Sequence, residues 1–97
     1  MSHLFFEWDE SKNTSNQKKH GVSFDDAKTI FTDQFARLIA DPQNSKNEDR
    51  FILLGASINS KLLVVCHCIR VDDRIRIFSA RKADKQERSI YEENRHA

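Results

Sequence analysis

Glycine and proline are nearly missing from this chain, with two of the first and one of the second in 97 residues. So few breakers exclude a loop-dominated or low-complexity protein and argue for regular elements joined by short turns. Cysteine is equally scarce. Cys66 and Cys68 lie two apart in "VVCHCIR", where a strand would project both from one face, a poor geometry for a mutual disulfide. Two reduced, buried thiols in a cytoplasmic protein are therefore expected. No apolar run approaches membrane-spanning length. The start, "MSHLFFEWDE", has neither a basic opening nor the long apolar stretch of a secretory signal, so no membrane partner is expected. Charge of neither sign dominates: a net +1 gives no global electrostatic case for nucleic acid. Familiar catalytic signatures are absent too, including a Gly-rich phosphate loop, a Ser nucleophile elbow and HExxH. Cys66, His67 and Cys68 are zinc-ligand types, but a strand sends His67 away from both thiols and no second Cys pair exists. Neither a metal nor a cofactor is expected.

What is present suffices for one modest core. Hydrophobic residues make up 38% of the chain, with seven Phe among them, which places it above disordered compositions. Its length suits one small domain spanning 1–97. "LFFEW" reads as a strand. Asp9 can N-cap a helix with Glu10 in its first turn, running to about Lys19 or His20, and Gly21 stands where a left-handed C′ residue is wanted. Ser23 then caps a second helix, with Asp26 three residues on and Phe24, Ala27, Ile30 and Phe31 as its apolar stripe. "FARLIA" reads as a strand ending at an Asp41-Pro42 turn, followed by the polar loop "QNSKNED". Three strand-like runs follow, Arg50 to Ser57, Leu62 to Arg70 and Arg74 to Arg81, and Asp84 with Glu87 can box-cap a last helix. This order predicts an α+β fold: an antiparallel sheet of about four to five strands, two N-terminal helices and one C-terminal helix.

Two-residue turns at Asn59-Ser60 and Asp72-Asp73 would fix the register. Arg50 and Arg76 would then both lie opposite Ile69, and Ile52 and Phe78 opposite His67. Because side chains directly opposite share a face, Arg50, His67 and Arg76 would cluster. The other face, with Phe51, Leu53, Val64, Cys66, Cys68, Ile75 and Ile77, would be core. A one-residue slip in either turn would undo that arrangement.

Charge is distributed unevenly. Residues 74–88 carry six Arg or Lys against two acids, a local +4. Arg stays charged and grips phosphate with two donors, and His exchanges protons near neutral pH. Cleaving RNA without a metal requires a base for the 2′-hydroxyl, cations for the charge on phosphorus and an acid for the leaving oxygen. Arg50 and Arg76 suit the phosphate, and His67 or His20 the proton. Lys12, Lys19 and Arg81 are candidate substrate contacts, although strand parity turns Arg81 away from Arg76 unless a bulge intervenes. The same types also have plainer readings. His67 in an apolar strand can be a satisfied, half-buried histidine, and Lys82, Lys85 and Arg88 the wet face of a helix.

From Asp9 to His20 there is no aliphatic or aromatic residue. Helices ordinarily draw their stability from an apolar face. Here only Trp8 adjoins a stripe of Lys12, Asn16 and Lys19 with His20 beside it. Position must therefore come from Trp8, from polar contacts or from a partner.

These residues also carry a resemblance. "FEWDESKNTSNQKKHGVSFDDA" resembles the N-terminal signature of the BrnT family, toxins of type II toxin–antitoxin systems. "EDRFILLG", "LLVVCH" and "RIRIFSARKADKQERSIYEE" are similar to its later blocks. On this sequence the signature falls on Trp8, Lys12, Asn16, Lys19, His20, Arg50, His67, Arg76, Arg81, Glu87 and Tyr91, with Trp8, Gly21 and Tyr91 expected to serve structure. The resemblance implies a RelE/ParE-like fold, a ribonuclease that arrests translation and growth, and a neighbouring BrnA-type antitoxin. It also implies promoter DNA bound indirectly, through that antitoxin. The alternative is a module that acts by binding protein, either its antitoxin or a target such as a topoisomerase.

Overall fold

The computed structural model describes residues 4–40 and 50–96. The elements are β1 (Phe5–Glu7), α1 (Glu10–His20), α2 (Phe24–Ala27) continued by a 3-10 segment (Lys28–Thr32), β2 (Arg37–Ile39), β3 (Arg50–Ala56), β4 (Leu62–Arg70), β5 (Arg74–Lys82) and α3 (Lys85–Arg95). The expected elements all appear. The Asp41-Pro42 turn and the "QNSKNED" loop lie outside the described residues.

One sheet holds the strands in the order β1-β5-β4-β3-β2. Strands β2 to β5 form an antiparallel meander, but β1 pairs with β5 in parallel, Phe6 opposite Ile75. The sheet is therefore mixed, not antiparallel as expected. Helices α1 and α2 separate β1 from the far edge strand β2, and the meander then returns to β1 running in the same direction.

Both hairpins are one residue longer in the turn than expected. Ser57 N–H bonds Lys61 O at 2.8 Å around Ile58-Asn59-Ser60, with Ser60 left-handed at φ 64°. A left-handed residue closing a three-residue loop is a common hairpin turn, and here Ser60 takes a position that glycine usually fills. Val71-Asp72-Asp73 turn the second hairpin, with Asp72 and Asp73 both at positive φ. Each extra residue shifts the pairing by one. Arg50 and Arg76 consequently stand opposite Cys68, and His67 opposite Phe51 and Ile77. The slips flip β4 relative to both neighbours and cancel between β3 and β5.

The sheet separates two apolar layers. One face packs Leu63, Val65, Ile75 and Ile77 under Phe24 and Ile30. The opposite face packs Leu54 and Val64 against Tyr91 and Ala83 of the α3 region. Cys66, Cys68 and Val64, expected with the first layer, lie on this second face. Among the described residues, helix α3 covers one half of it. On the other half Arg50, Arg70 and Arg74 are exposed, and Cys66, Cys68, Arg76 and Phe78 half-buried. Tyr91 ties α3 down: its hydroxyl donates to Asp33 Oδ2 at 2.7 Å. Burial and that bond push the Tyr91 pKa up to about 12. Partial burial pushes the Asp33 carboxyl up, but donors from Ala56 N–H, Phe35 N–H and Tyr91 offset this and hold it below the usual carboxylate range.

Candidate nucleic-acid interface

Helix α1 is bounded as its sequence implies. Asp9 accepts from Ser11 N–H at 2.9 Å, and Gly21 takes φ 67° while its N–H bonds Gln17 O at 2.9 Å. Only the backbone conformation requires glycine there, since a Cβ would meet nothing within 4 Å. Two buried asparagines replace the missing apolar stripe. Asn16, 5% exposed, donates to Val22 O at 2.9 Å and Ala80 O at 2.7 Å, and accepts from Ala80 N–H at 3.1 Å. Its amide bonds the edge of β5 as a neighbouring strand would. Asn13 accepts from Phe24 N–H at 2.9 Å and donates to Glu10 at 2.7 Å. Trp8 adds an edge-to-face contact with Phe24, centroids 5.8 Å apart. Polar contacts and Trp8 thus hold the helix together.

This attachment sets α1 along the border of the open half-face. Lys12, Ser15, Asn16, Lys19 and His20 line a cleft of about 180 Å³ with Phe78 and Ser79 of β5. The Arg50 guanidinium lies 4.4 Å and Lys12 Nζ 5.5 Å from the Phe78 ring centre. Phe78 therefore joins the helix cations to those of the sheet. Phe78 is also the unpaired residue of a bulge: His67 faces Ile77, Cys66 faces Ser79, and the register shifts between them. The extra residue restores Arg81 to the face of Arg76.

Arg76 Nη1 donates to Glu7 Oε2 at 3.0 Å. Arg74 and Arg70 approach the same carboxylate at 3.5 and 3.8 Å. The bond from Arg76, with help from the other two, holds the Glu7 carboxyl below its usual value despite some desolvation. Among the described residues, four arginines, Arg50, Arg70, Arg74 and Arg76, thus share this half-face with one carboxylate, Glu7. Arg81 reaches it but is engaged in a two-pronged bond with Glu87, both contacts at 2.8 Å.

Of the expected site residues, Arg50 and Arg76 come together, with Lys12, Lys19 and His20 beside them. His67 does not join. It lies on the opposite face, 2% exposed, its ring 4.9 Å from that of Phe31 and its Nδ1 3.2 Å from Val65 O. Burial lowers its pKa, and the Val65 carbonyl only partly offsets this. The turn slip is the reason for the correction. Sequence reasoning put Phe78 on the face of Arg50 and Arg76 without a role, and did not single out Glu7, Arg70 or Arg74. The parity shared by residues 70, 74 and 76 could have found the arginines once the turn lengths were known. Among the described residues, no group of three or more His, Cys, Asp or Glu is placed to hold a metal ion, and no helix is long and apolar enough to cross a membrane.

Comparison with known proteins names the family. The family model for the ribonuclease toxin BrnT of type II toxin–antitoxin systems matches residues 8–87. This chain belongs to the BrnT family. The match includes Trp8, the whole of α1, Arg50, Arg76, Phe78 and Glu87. A crystal structure of the Brucella abortus ribonuclease toxin BrnT superposes with a TM-score of 0.66 at 21% identity, covering 86% of this chain and 100% of that one. At that identity the likeness speaks for a shared BrnT fold. No curated protein sequence matches significantly. Membership of a type II toxin family implies an antitoxin partner.

Proposed function

We propose that this chain is a RelE/ParE-like endoribonuclease toxin that cleaves RNA without a metal ion. It acts in the cytoplasm, arrests translation and growth, and is neutralised by a BrnA-type antitoxin whose complex binds its own promoter. The observation that carries the reading is the pairing of Arg50 and Arg76 across Cys68 on an open half-face, bordered by the Lys12, Lys19 and His20 cleft. Two guanidiniums flanking one position can hold the non-bridging oxygens of a phosphodiester as charge builds on phosphorus. His20, exposed at the end of α1, is the proton-transfer group of this scheme: it takes the 2′-hydroxyl proton, the 2′-oxygen bonds phosphorus to close a cyclic phosphate as the P–O5′ bond breaks, and the leaving 5′-oxygen takes its proton from solvent water. Lys12 and Lys19 contact neighbouring phosphates. Arg81 joins as a substrate contact from its place beside Glu87. His67 has no part in the scheme, because it lies behind the sheet.

The test is induced expression with and without the neighbouring reading frame, with RNA ends mapped. Growth arrest with new RNA ends, suppressed by the neighbour, is expected. Arrest with intact RNA would instead favour a toxin that acts by binding protein.

A further inference from the structure

Phe78 belongs to neither apolar core. It is a large aromatic side chain set among cations on a polar half-face: alternation along β5 puts it with Arg74 and Arg76, and the bulge leaves it without a partner on β4. Arg50 and Lys12 lie within cation–π distance of its ring. The ring also forms one wall of the cleft beneath α1, where Ser15 and Ser79 bring hydroxyls and Lys12, Lys19 and His20 bring donors. An aromatic ring or guanidinium plane flanked by cations suits an unpaired nucleotide: the base stacks on the π-face and the adjoining phosphates meet the Lys and Arg side chains. A duplex cannot use such a platform, because its base faces are already stacked on each other.

We infer that Phe78 and Arg50 form a stacking platform for one unpaired base, seated in the cleft between α1 and β5. The protein therefore selects single-stranded over double-stranded RNA. The inference rests on reading this face as an RNA site, and binding can test it without any cleavage.

The probe is a fluorescent single-stranded RNA with every 2′-hydroxyl methylated, which cannot be cleaved, together with a hairpin duplex of similar length. Anisotropy titrations compare the unaltered protein with Phe78→Ala, Phe78→Leu and Phe78→Trp, after urea unfolding has shown which variants are folded. The unaltered protein should prefer the single strand. Phe78→Leu, which keeps an apolar side chain but removes the π-face, should weaken single-strand binding about tenfold and leave duplex binding unchanged. Phe78→Ala should do the same, and Phe78→Trp should retain affinity. No single-strand preference, equal losses on both probes, or unchanged binding by Phe78→Leu would each overturn the inference. Cleavage is read separately. An uncleaving protein with the expected preference contradicts the ribonuclease reading alone, and a cleaving one indifferent to Phe78 contradicts the platform alone.

Discussion

Arg50 and Arg76 stand opposite the same residue, Cys68, on the two strands that flank β4. Two interstrand spacings put their backbones roughly 10 Å apart, with a half-buried thiol between them. A phosphodiester bridging the two guanidiniums would lie over that thiol. Bound single-stranded RNA, again 2′-O-methylated, should therefore slow alkylation of Cys68 severalfold. Cys66 shares the face, so the measurement is made on Cys66→Ser, with label located by peptide mass. Alkylation of Cys68 at the same rate with and without RNA would remove RNA from this face.

His67 should prove dispensable for cleavage. His67→Phe keeps an aromatic ring against Phe31 and is expected to leave the cleavage rate within about twofold, since surface chemistry is untouched. It should change the pH dependence of stability. Burial lowers the folded-state pKa of His67, so the unfolded chain takes up this proton first. Its burial costs nothing above the ordinary histidine pKa and progressively destabilises the fold as pH falls from there toward the lowered value. Urea midpoints at pH 7 and pH 5 should fall less for His67→Phe than for the unaltered protein. A loss of cleavage in a folded His67→Phe would return this histidine to the site.

Asn16 should matter as much as a core residue. Asn16→Ala removes three hydrogen bonds and leaves the groups of Ala80 and Val22 to find water, a cost of about 2–3 kcal/mol, or a Tm drop of roughly 10–20 °C. Asn16→Asp keeps the acceptor for Ala80 N–H but loses both donors and sets a charge against two carbonyls, so it should be at least as destabilising. Thermal unfolding at pH 7 checks the order. An Asn16→Asp protein as stable as the original would mean that α1 is held elsewhere.

The Arg81–Glu87 pair joins β5 to the start of α3, where Glu87 N–H also bonds Asp84 in a capping box. The bond from Arg81 holds the Glu87 carboxyl below its ordinary value. Its stabilisation is therefore present above that ordinary value and lost as pH falls through the lowered one. Glu87→Gln should cost about 1 kcal/mol at neutral pH, with the gap to the unaltered protein closing in strong acid. Urea midpoints over that range decide it, and a constant gap would contradict the ion-pair account.

Capping residues made much of the fold legible in the sequence. Asp9, Gly21, Ser23 and Asp84 mark helix ends through chemistry that acts within a few residues, and the structure uses all four. Register was not legible, because each turn takes in one more residue, Ile58 or Val71, and its left-handed positions are held by Ser60, Asp72 and Asp73 where glycine would have marked them. The error moved His67 but spared Arg50 and Arg76, whose relationship depends on both turns together. In the sequence Asn16 stands only in a polar stripe with Lys12 and Lys19, and nothing marks Asn13. Only the tertiary placement of Phe24 and Ala80 reveals them as anchors, and the bulge at Phe78 has no local signal at all.

The central claim is that Arg50 and Arg76 form the RNA-cleaving site. Its most direct test is cleavage of single-stranded RNA in excess EDTA by the unaltered protein, Arg50→Ala, Arg76→Ala and the double variant, each first shown to be folded. The unaltered protein should cleave. Each single change should slow cleavage by about 100-fold, and the double variant should be less than additively worse, because the two side chains hold one phosphate. Cleavage that persists unchanged in the folded double variant would contradict the account.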